Sequence, residues 1–406
     1  MTTFVETSTE LIANTIVADR TRTISVLVLG QTPPPVHGQS IMTKALIDGP
    51  IEGVTIYHIR MAYSTTIGDV GRFQIGKVLH LIALILRTIL AKLRYNPEIL
   101  YYIPSGPNKI PLLRDIVFLL STRWMFSKSV FHFHASGVSE YIPTLPQWLR
   151  TLAMLALKRP SAGIQLSEHT VSDPKFLQSK MIFTVPNGTP DMAAHFKSSR
   201  LKPNLLKSNH LATAKNVTAS PLKILYLGTV CESKGILVAL DACSILRQRN
   251  ILFHLDIVGG FQPSSFEAIV ADRIAASALN QNVSIHYQKT GDEKWQRFAN
   301  ADVFCFPTFY ESEGFPCVLL EAMSFGLPCI ATRWRGIPSI VTDRETGYLI
   351  EPNDITAVAD KLELLAKDRI HLAELGDNAR EKYISTFTTT HFLKSMSNVF
   401  REVSSR

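Results

Sequence analysis

Glu313-Gly314-Phe315-Pro316-Cys317-Val318-Leu319-Leu320-Glu321-Ala322-Met323 sets a carboxylate on either side of a helix start. Proline suits a first helical position, because its fixed φ matches the helix and its missing N–H would have found no intrahelical partner. The spacing therefore predicts a helix from Pro316. Glu313 then lies on the loop ahead of the helix, and Glu321 stands about 8 Å along the axis from Pro316. Between them are the unpaired amides of the first turn, which with the helix dipole make a ready site for an anion.

Just upstream, residues 303–306 form a short apolar run closed by Pro307, as expected of a buried parallel strand, and 308–312 form a polar loop into the helix. Open α/β sheets bind ligands outside the carboxyl ends of their strands, where this loop would lie. The order carboxylate, anion site, carboxylate matches the sugar, diphosphate and ribose diol of a nucleotide-sugar, since a carboxylate accepts two hydrogen bonds from a hydroxyl-bearing ring. On these residues alone a structural reading stays open: one Glu favouring the helix dipole, the other on a solvated face.

At 406 residues the chain exceeds what one core supports, so two domains are expected. The 46% apolar and 19% charged content is that of a globular protein. Lys and Arg number 42 against 34 Asp and Glu, a formal +8 that suits an anionic ligand or an anionic membrane surface. The excess is too diffuse for nucleic acid, and no basic run is interleaved with aromatics. Cys231, Cys243, Cys305, Cys317 and Cys329 lack metal-ligand spacing and read as reduced structural thiols of a cytoplasmic protein. Residues 1–22 are polar, without an apolar core of signal-peptide type, and are expected to be a disordered tail.

Residues 24–29 are a β-branched run ending at Gly30, the profile of a first buried strand. The loop after it carries Pro33, Pro34 and Pro35 before Gly38 opens an apolar segment at 41–47. A glycine there lets a ligand approach the backbone. The three-glycine dinucleotide fingerprint is absent, which disfavours an oxidoreductase. Further strands are expected at 54–59, 99–103, 130–133 and 162–166, and again at 222–227, 253–258, 283–287, 303–306 and 329–332. Their alternation with helical segments predicts two parallel, doubly wound α/β domains. Apolar content falls after His195, which divides the chain into a first domain at 23–198, a linker at 199–221 and a second domain at 222–385. The 386–406 tail reads as a helix crossing back to the first domain.

His132 and His134 share one face of a strand, with His134 near its carboxyl end. That imidazole suits taking a proton from an incoming hydroxyl or positioning it, and equally a hydrogen-bonded structural role. Lys234 and Gly235 follow a strand, which suits a phosphate held by a point charge and unpaired amides; a surface lysine at a turn is the other reading. Residues 76–94 are strongly apolar but interrupted by Lys77, His80, Arg87, Lys92 and Arg94, short of the roughly 20 apolar residues of a membrane span. A core helix with a charged edge is favoured, and a basic amphipathic face on anionic lipid is carried beside it. Segments 110–126 and 148–158 repeat the mixture of apolar residues with Arg, Lys and Trp. The expected location is cytoplasmic, with peripheral contact on the inner membrane face.

Jointly, Pro33-Pro-Pro with Gly38, His132-Phe-His134, Pro186-Asn-Gly188, Gly228 with Lys234-Gly235, Glu313-Gly-Phe-Pro with Leu320-Glu-Ala-Met323, Gly326-Leu-Pro328, Gly336-Ile-Pro338 and Thr346-Gly347 resemble the retaining glycosyltransferases of family four, glycosyl transferases group 1. The resemblance spans most of the chain, and the paired glutamates are its most specific part. It implies a GT-B fold, two facing Rossmann-like domains with the active site in the cleft between them. It also implies that Glu321 holds the donor ribose, Lys234 the diphosphate and the Val318 amide the phosphate. Glu313 with the backbone of Gly314 and Phe315 would lie by the donor sugar, Gly38 would close over the diphosphate, and His134 would sit near donor sugar and acceptor. No metal or other cofactor is expected, because Lys and helix amides neutralise the leaving group.

The sequence departs from the pattern at Thr229, where an Arg often stands, and Arg335 is a candidate compensating cation. Ser339 and Tyr287 are further departures that bear on donor choice. The function implied is a metal-independent hexosyltransferase moving a sugar, with retention, from a nucleotide-sugar to a hydroxyl of a glycan or lipid-linked glycan in surface polysaccharide or lipopolysaccharide biosynthesis. A GT-B epimerase or phosphorylase and a non-catalytic membrane-associated glycan or nucleotide-sugar binder are the alternatives, since fold does not fix function.

Overall fold

The computed structural model describes residues 23–34, 37–61, 75–196 and 220–406. The expected tail at 1–22, Pro35 of the proline loop and 199–219 of the expected linker lie outside them. The first sheet is built from β1 (Ile24–Gly30), β2 (Val54–Arg60), β3 (Ile99–Tyr102), β4 (Lys128–Phe133), β5 (Ala162–Gln165) and β6 (Met181–Thr184), in the order β2-β1-β3-β4-β5-β6. The second uses β7 (Leu222–Leu227), β8 (Phe253–Val258), β9 (Val283–His286), β10 (Val303–Phe306), β11 (Cys329–Thr332) and β12 (Gly347–Ile350), in the order β12-β11-β10-β7-β8-β9. Every pairing in both sheets is parallel.

Parallel strands joined by helices are covered on both faces, so their sequences run apolar without a polar alternation. In β1, Val26 and Val28 point into one core layer with Tyr101 and Val130, while Leu27 and Leu29 point into the other with Leu100, Tyr102 and Phe131. The second domain has a single large cluster around β7, β8, β10 and β11. Each sheet reverses its strand order once, between β1 and β3 and between β7 and β10. Those two switch points are where loops part and leave a crevice.

Several strand ends shift by one or two residues from the sequence reading, and a helix start and one whole strand differ as well. The helix after β10 is Cys317–Ser324, one residue later than expected. Pro316 has ψ 110°, an extended value, so it precedes the helix as its cap. The strand β12 was not anticipated, because four residues opening on Gly347 carry too little periodicity to stand out. The helix Arg369–Thr386 stays on the second domain, burying Leu375, Ala379 and Tyr383. After the break at Phe387 and Thr388, the helix Thr389–Ser405 lies on the first domain, where Phe392, Met396, Val399, Phe400 and Val403 share a cluster with β1 residues.

Candidate functional site in the interdomain cleft

Both sheets turn their switch points to one open cleft of about 840 Å³, within the range of ligand sites. Lys234 arrives on the loop after β7 and Glu313 on the loop after the neighbouring β10. Gly235 makes this meeting possible: its φ is +78°, and a Cβ there would collide with the carbonyl of Pro307. Lys234 Nζ donates to Glu313 Oε2 at 2.5 Å, and the hydroxyl of Thr308 donates to the same oxygen at 3.1 Å. The lysine also lies over the Tyr310 ring, 4.5 Å from its centroid.

Glu321 is the second buried carboxylate, only 7% exposed, as is Glu313. It is not on a solvated helix face. Lys294, from the helix Gly291–Asn300, donates to Glu321 Oε1 at 2.6 Å and lies over the Trp295 ring. The cleft thus holds two lysine–carboxylate pairs, with the first turn of the Cys317–Ser324 helix lining the same space through Cys317 and Val318. The amide of Leu319 is already used by the Pro316 carbonyl at 3.1 Å, while the amides of Cys317 and Val318 have no acceptor within the helix.

The first domain supplies the opposite wall through His37, Gly38, His134 and Asn187. His37 caps the helix Gly38–Asp48, its Nδ1 accepting from the amide of Ser40 at 3.3 Å, and burial holds its pKa below the usual histidine value. Gly38 faces Cys317 closely enough that a Cβ would touch the sulfur. Asn187 Nδ2 donates to the Phe315 carbonyl at 3.1 Å, so a first-domain side chain props the segment that carries Glu313. Gly314 packs directly under the carbonyl of His134, where any Cβ would clash.

His132 and His134 lie side by side with ring centroids 4.1 Å apart. His132 is fully buried and its Nδ1 meets the Tyr101 hydroxyl at 2.6 Å. His134 keeps part of its surface open to the cleft, yet the surrounding protein atoms, then the nearby His37, push its pKa down to about 3. An imidazole that resists protonation so strongly takes a proton poorly and acts better as a neutral hydrogen-bonding group. Cys317 is also held protonated, its pKa pushed up to about 12 by burial and then by Glu321.

Gly38, His134, Lys234, Glu313, Gly314, Phe315, Val318 and Glu321 all line the cleft. Arg335 does not: it is absent from the lining, and its guanidinium pairs with Glu140 of the first domain at 3.0 Å. Thr229 lines the cleft, and the arginine in that lining is Arg114, from the first domain. The second cation near the carboxylates is Lys294, which sequence reasoning missed. Its partner is 27 residues away, and no local pattern marks a lysine in a polar helix as cleft-facing. Tyr287 is exposed and donates to Glu267, and Ser339 meets Ser167 of the first domain at 2.6 Å.

Two facing parallel α/β domains with buried lysine–carboxylate pairs in the crevice between them define a GT-B-type protein. Residues 212–382, most of them in the second domain, match the family model of glycosyl transferases group 1. A putative colanic acid biosynthesis glycosyltransferase of Escherichia coli K12 is 32% identical over 169 residues, 40% of this chain and 41% of that one. The amylovoran biosynthesis glycosyltransferase of Erwinia amylovora is 31% identical over 171 residues, 41% of each chain. The likeness to these curated relatives thus spans well under half of their length. Among solved structures, sucrose-phosphate synthase of Thermosynechococcus elongatus superposes with a TM-score of 0.69 at 18% identity, covering 94% of this chain and 99% of that one. Anabaena HepE in complex with UDP gives 0.69 at 15% identity, covering 93% and 100%. These last two are likenesses of fold.

Proposed function

We propose that this protein is a retaining glycosyltransferase that moves a sugar from a nucleotide-sugar to a hydroxyl of a glycan or lipid-linked glycan during surface polysaccharide assembly. The observation that carries the reading is the pair of buried carboxylates, each held by a lysine, flanking a helix start in the interdomain cleft. The names of the matched relatives, which speak of colanic acid, amylovoran and capsule biosynthesis, support the polysaccharide part.

In this reading Glu321 accepts from the ribose diol, and the amides of Cys317 and Val318 receive the diphosphate. Lys234 leaves Glu313 to sit on the leaving phosphate, and Glu313 then faces the donor sugar with the Gly314 and Phe315 backbone. Charge develops on the sugar ring and on the departing phosphate, so positive groups preorganised at the phosphate carry most of the rate. The bond from C1 to the phosphate oxygen breaks as the acceptor oxygen attacks C1 on the same face. The acceptor's proton passes to the departing phosphate oxygen. His134, kept neutral by burial, orients the hydroxyl. Lys234, Lys294 and the helix amides supply the positive charge a divalent cation would otherwise bring, so turnover is expected to survive chelation by EDTA.

The test is nucleotide release from a panel of UDP-, GDP- and ADP-sugars by the full chain, with Glu321→Gln in parallel. Release from one donor, lost in the variant, supports the reading and names the sugar. Release from none, together with no donor binding by calorimetry, overturns it.

A further inference from the structure

We propose that the outward face of the helices Ile75–Tyr95, Lys109–Thr122 and Gln147–Leu157 is a docking surface for an anionic lipid bilayer. The proposal concerns a face of the first domain and stands independently of the transferase reading.

The first of these helices has two apolar faces where a surface helix needs one. Leu84 and Thr88 are buried against the domain, with Leu81 and Ile85 packed beside them. Leu79, Ile82, Leu86, Leu90 and Leu93 are each at least half exposed. At 100° per residue, these five fall within an arc of about 80° centred opposite Thr88, so the stripe faces directly away from the core. No folding requirement explains five large aliphatic side chains in that position; an apolar partner does.

The stripe continues across the neighbouring helices of the same layer. Val117 and Leu120 are exposed on the second, and Trp148, Leu152 and Leu155 share one face of the third. Trp124, just after the second, is 77% exposed and Trp148 is 62% exposed. Of the twenty-two large apolar side chains exposed among the described residues, fourteen lie on these helices or at Trp124. Tryptophan at the rim of such a face suits the boundary between headgroups and acyl chains.

Charge decides the occupant. Residues 75–159 hold eleven Lys and Arg against three Asp and Glu, a formal +8 equal to that of the whole chain. The helix Ile75–Tyr95 carries four basic residues and no acidic one. Arg87 and Arg94 are exposed beside the stripe, and Lys109 and Arg150 are exposed on the other two helices. A second copy on this face would set cation against cation, whereas an anionic lipid surface complements it. No helix among the described residues is long and apolar enough to cross a membrane, so the contact lies in the interface plane.

The face also adjoins the cleft. Pro107, Asn108, Pro111 and Arg114 line the cleft, and Ile110 in the same turn is exposed. Docking therefore sets the cleft mouth beside the headgroups. If the transferase reading holds, the acceptor class is then a glycan linked to a membrane lipid.

Flotation of the full chain with vesicles of phosphatidylcholine, and of phosphatidylcholine mixed with phosphatidylglycerol, at low and high salt, tests the proposal. The protein is expected to bind the anionic vesicles at least about tenfold more tightly and to lose that advantage in salt. Leu86→Glu with Leu90→Glu is expected to abolish binding with circular dichroism unchanged, since both sites are already in water. Arg87→Glu with Arg94→Glu, which leaves the stripe intact, is expected to weaken anionic binding about tenfold. Equal binding to both lipids, binding retained by the leucine variant, or a solution dimer lost in that variant without vesicle binding would each overturn the proposal. Donor hydrolysis by the leucine variant reads the catalytic site separately and is expected to be unchanged.

Discussion

Lys234 and Glu313 are each other's partner in the cleft, at 2.5 Å, and the proposed transfer requires that they part so that the lysine can reach the diphosphate. Removing Lys234 takes a preorganised cation from the leaving group, and such losses lower turnover by about 10²–10³-fold. Lys234→Ala is thus expected to keep measurable donor binding with kcat reduced by that factor, read in steady-state kinetics. Glu321→Gln is expected to weaken donor binding by about 10–100-fold, because a hydrogen bond to a charged group is lost, and calorimetry reads it. His134 adds a pH dependence. Its folded pKa of about 3 lies below the usual 6.5, so the unfolded chain takes up a proton that the folded one refuses. Stability is therefore full above pH 6.5 and is lost as pH falls toward 3, with a slope of at most about 1.4 kcal/mol per pH unit from this one group. Melting temperatures of His134→Gln are expected to fall less steeply with acid than those of the wild type. Glu313, Lys234 and Glu321 were legible because strand ends and helix starts announce themselves locally. Asn187 had been visible only as part of a motif; its bond to the Phe315 carbonyl spans 128 residues and depends on how the domains meet. Lys294 was invisible for the same reason.

Strands were read more securely than helices, for a physical reason. A strand buried on both faces, such as β10, is apolar without interruption, so its ends show in the sequence. The helix Ile75–Tyr95 is apolar on both faces too, and a periodicity argument cannot say which stripe meets the core. The helix Thr389–Ser405 gave a clear pattern and a clear break before it, yet nothing local says that its apolar face covers the first sheet instead of the second. That placement is set by Phe392, Met396 and Phe400 filling the layer over Val26 and Val28. Phe400 is fully buried and meets Tyr101 edge-on at 5.9 Å. Phe400→Ala is expected to cost about 3–5 kcal/mol from lost burial and the cavity left behind. Urea unfolding checks it, and the loss should fall on the transition of the first domain although the residue lies beyond the end of the second.

The domains touch through many contacts, among them the Asn187 bond to Phe315 and the Arg380 pair with Asp191 at 2.7 Å. Arg335 pairs with Glu140, Ser339 meets Ser167, and the backbone of Gly314 is wedged under His134. Arg335 has φ +47°, a left-handed conformation that costs a side chain about 1–2 kcal/mol. The Glu140 side chain is 51% exposed, so the ion pair itself contributes no more than about 1 kcal/mol. Arg335→Gly removes both terms, and the two nearly cancel in the stability of the folded chain. They do not cancel in the opening of the cleft, because the backbone strain is present in open and closed forms while the ion pair exists only when the domains meet. The variant is therefore expected to unfold within about 1 kcal/mol of the wild type but to shift toward the open form by up to about fivefold. Small-angle scattering without ligand should show a larger radius of gyration, and kcat/KM should fall by a similar factor. Affinity for the donor nucleotide should hold, since the residues proposed to contact it, Glu321, Lys234 and the first turn of the Cys317–Ser324 helix, sit on the second domain. A loss of donor-nucleotide affinity of tenfold or more would instead place the Arg335 charge on the diphosphate, the compensation for Thr229 that the sequence suggested.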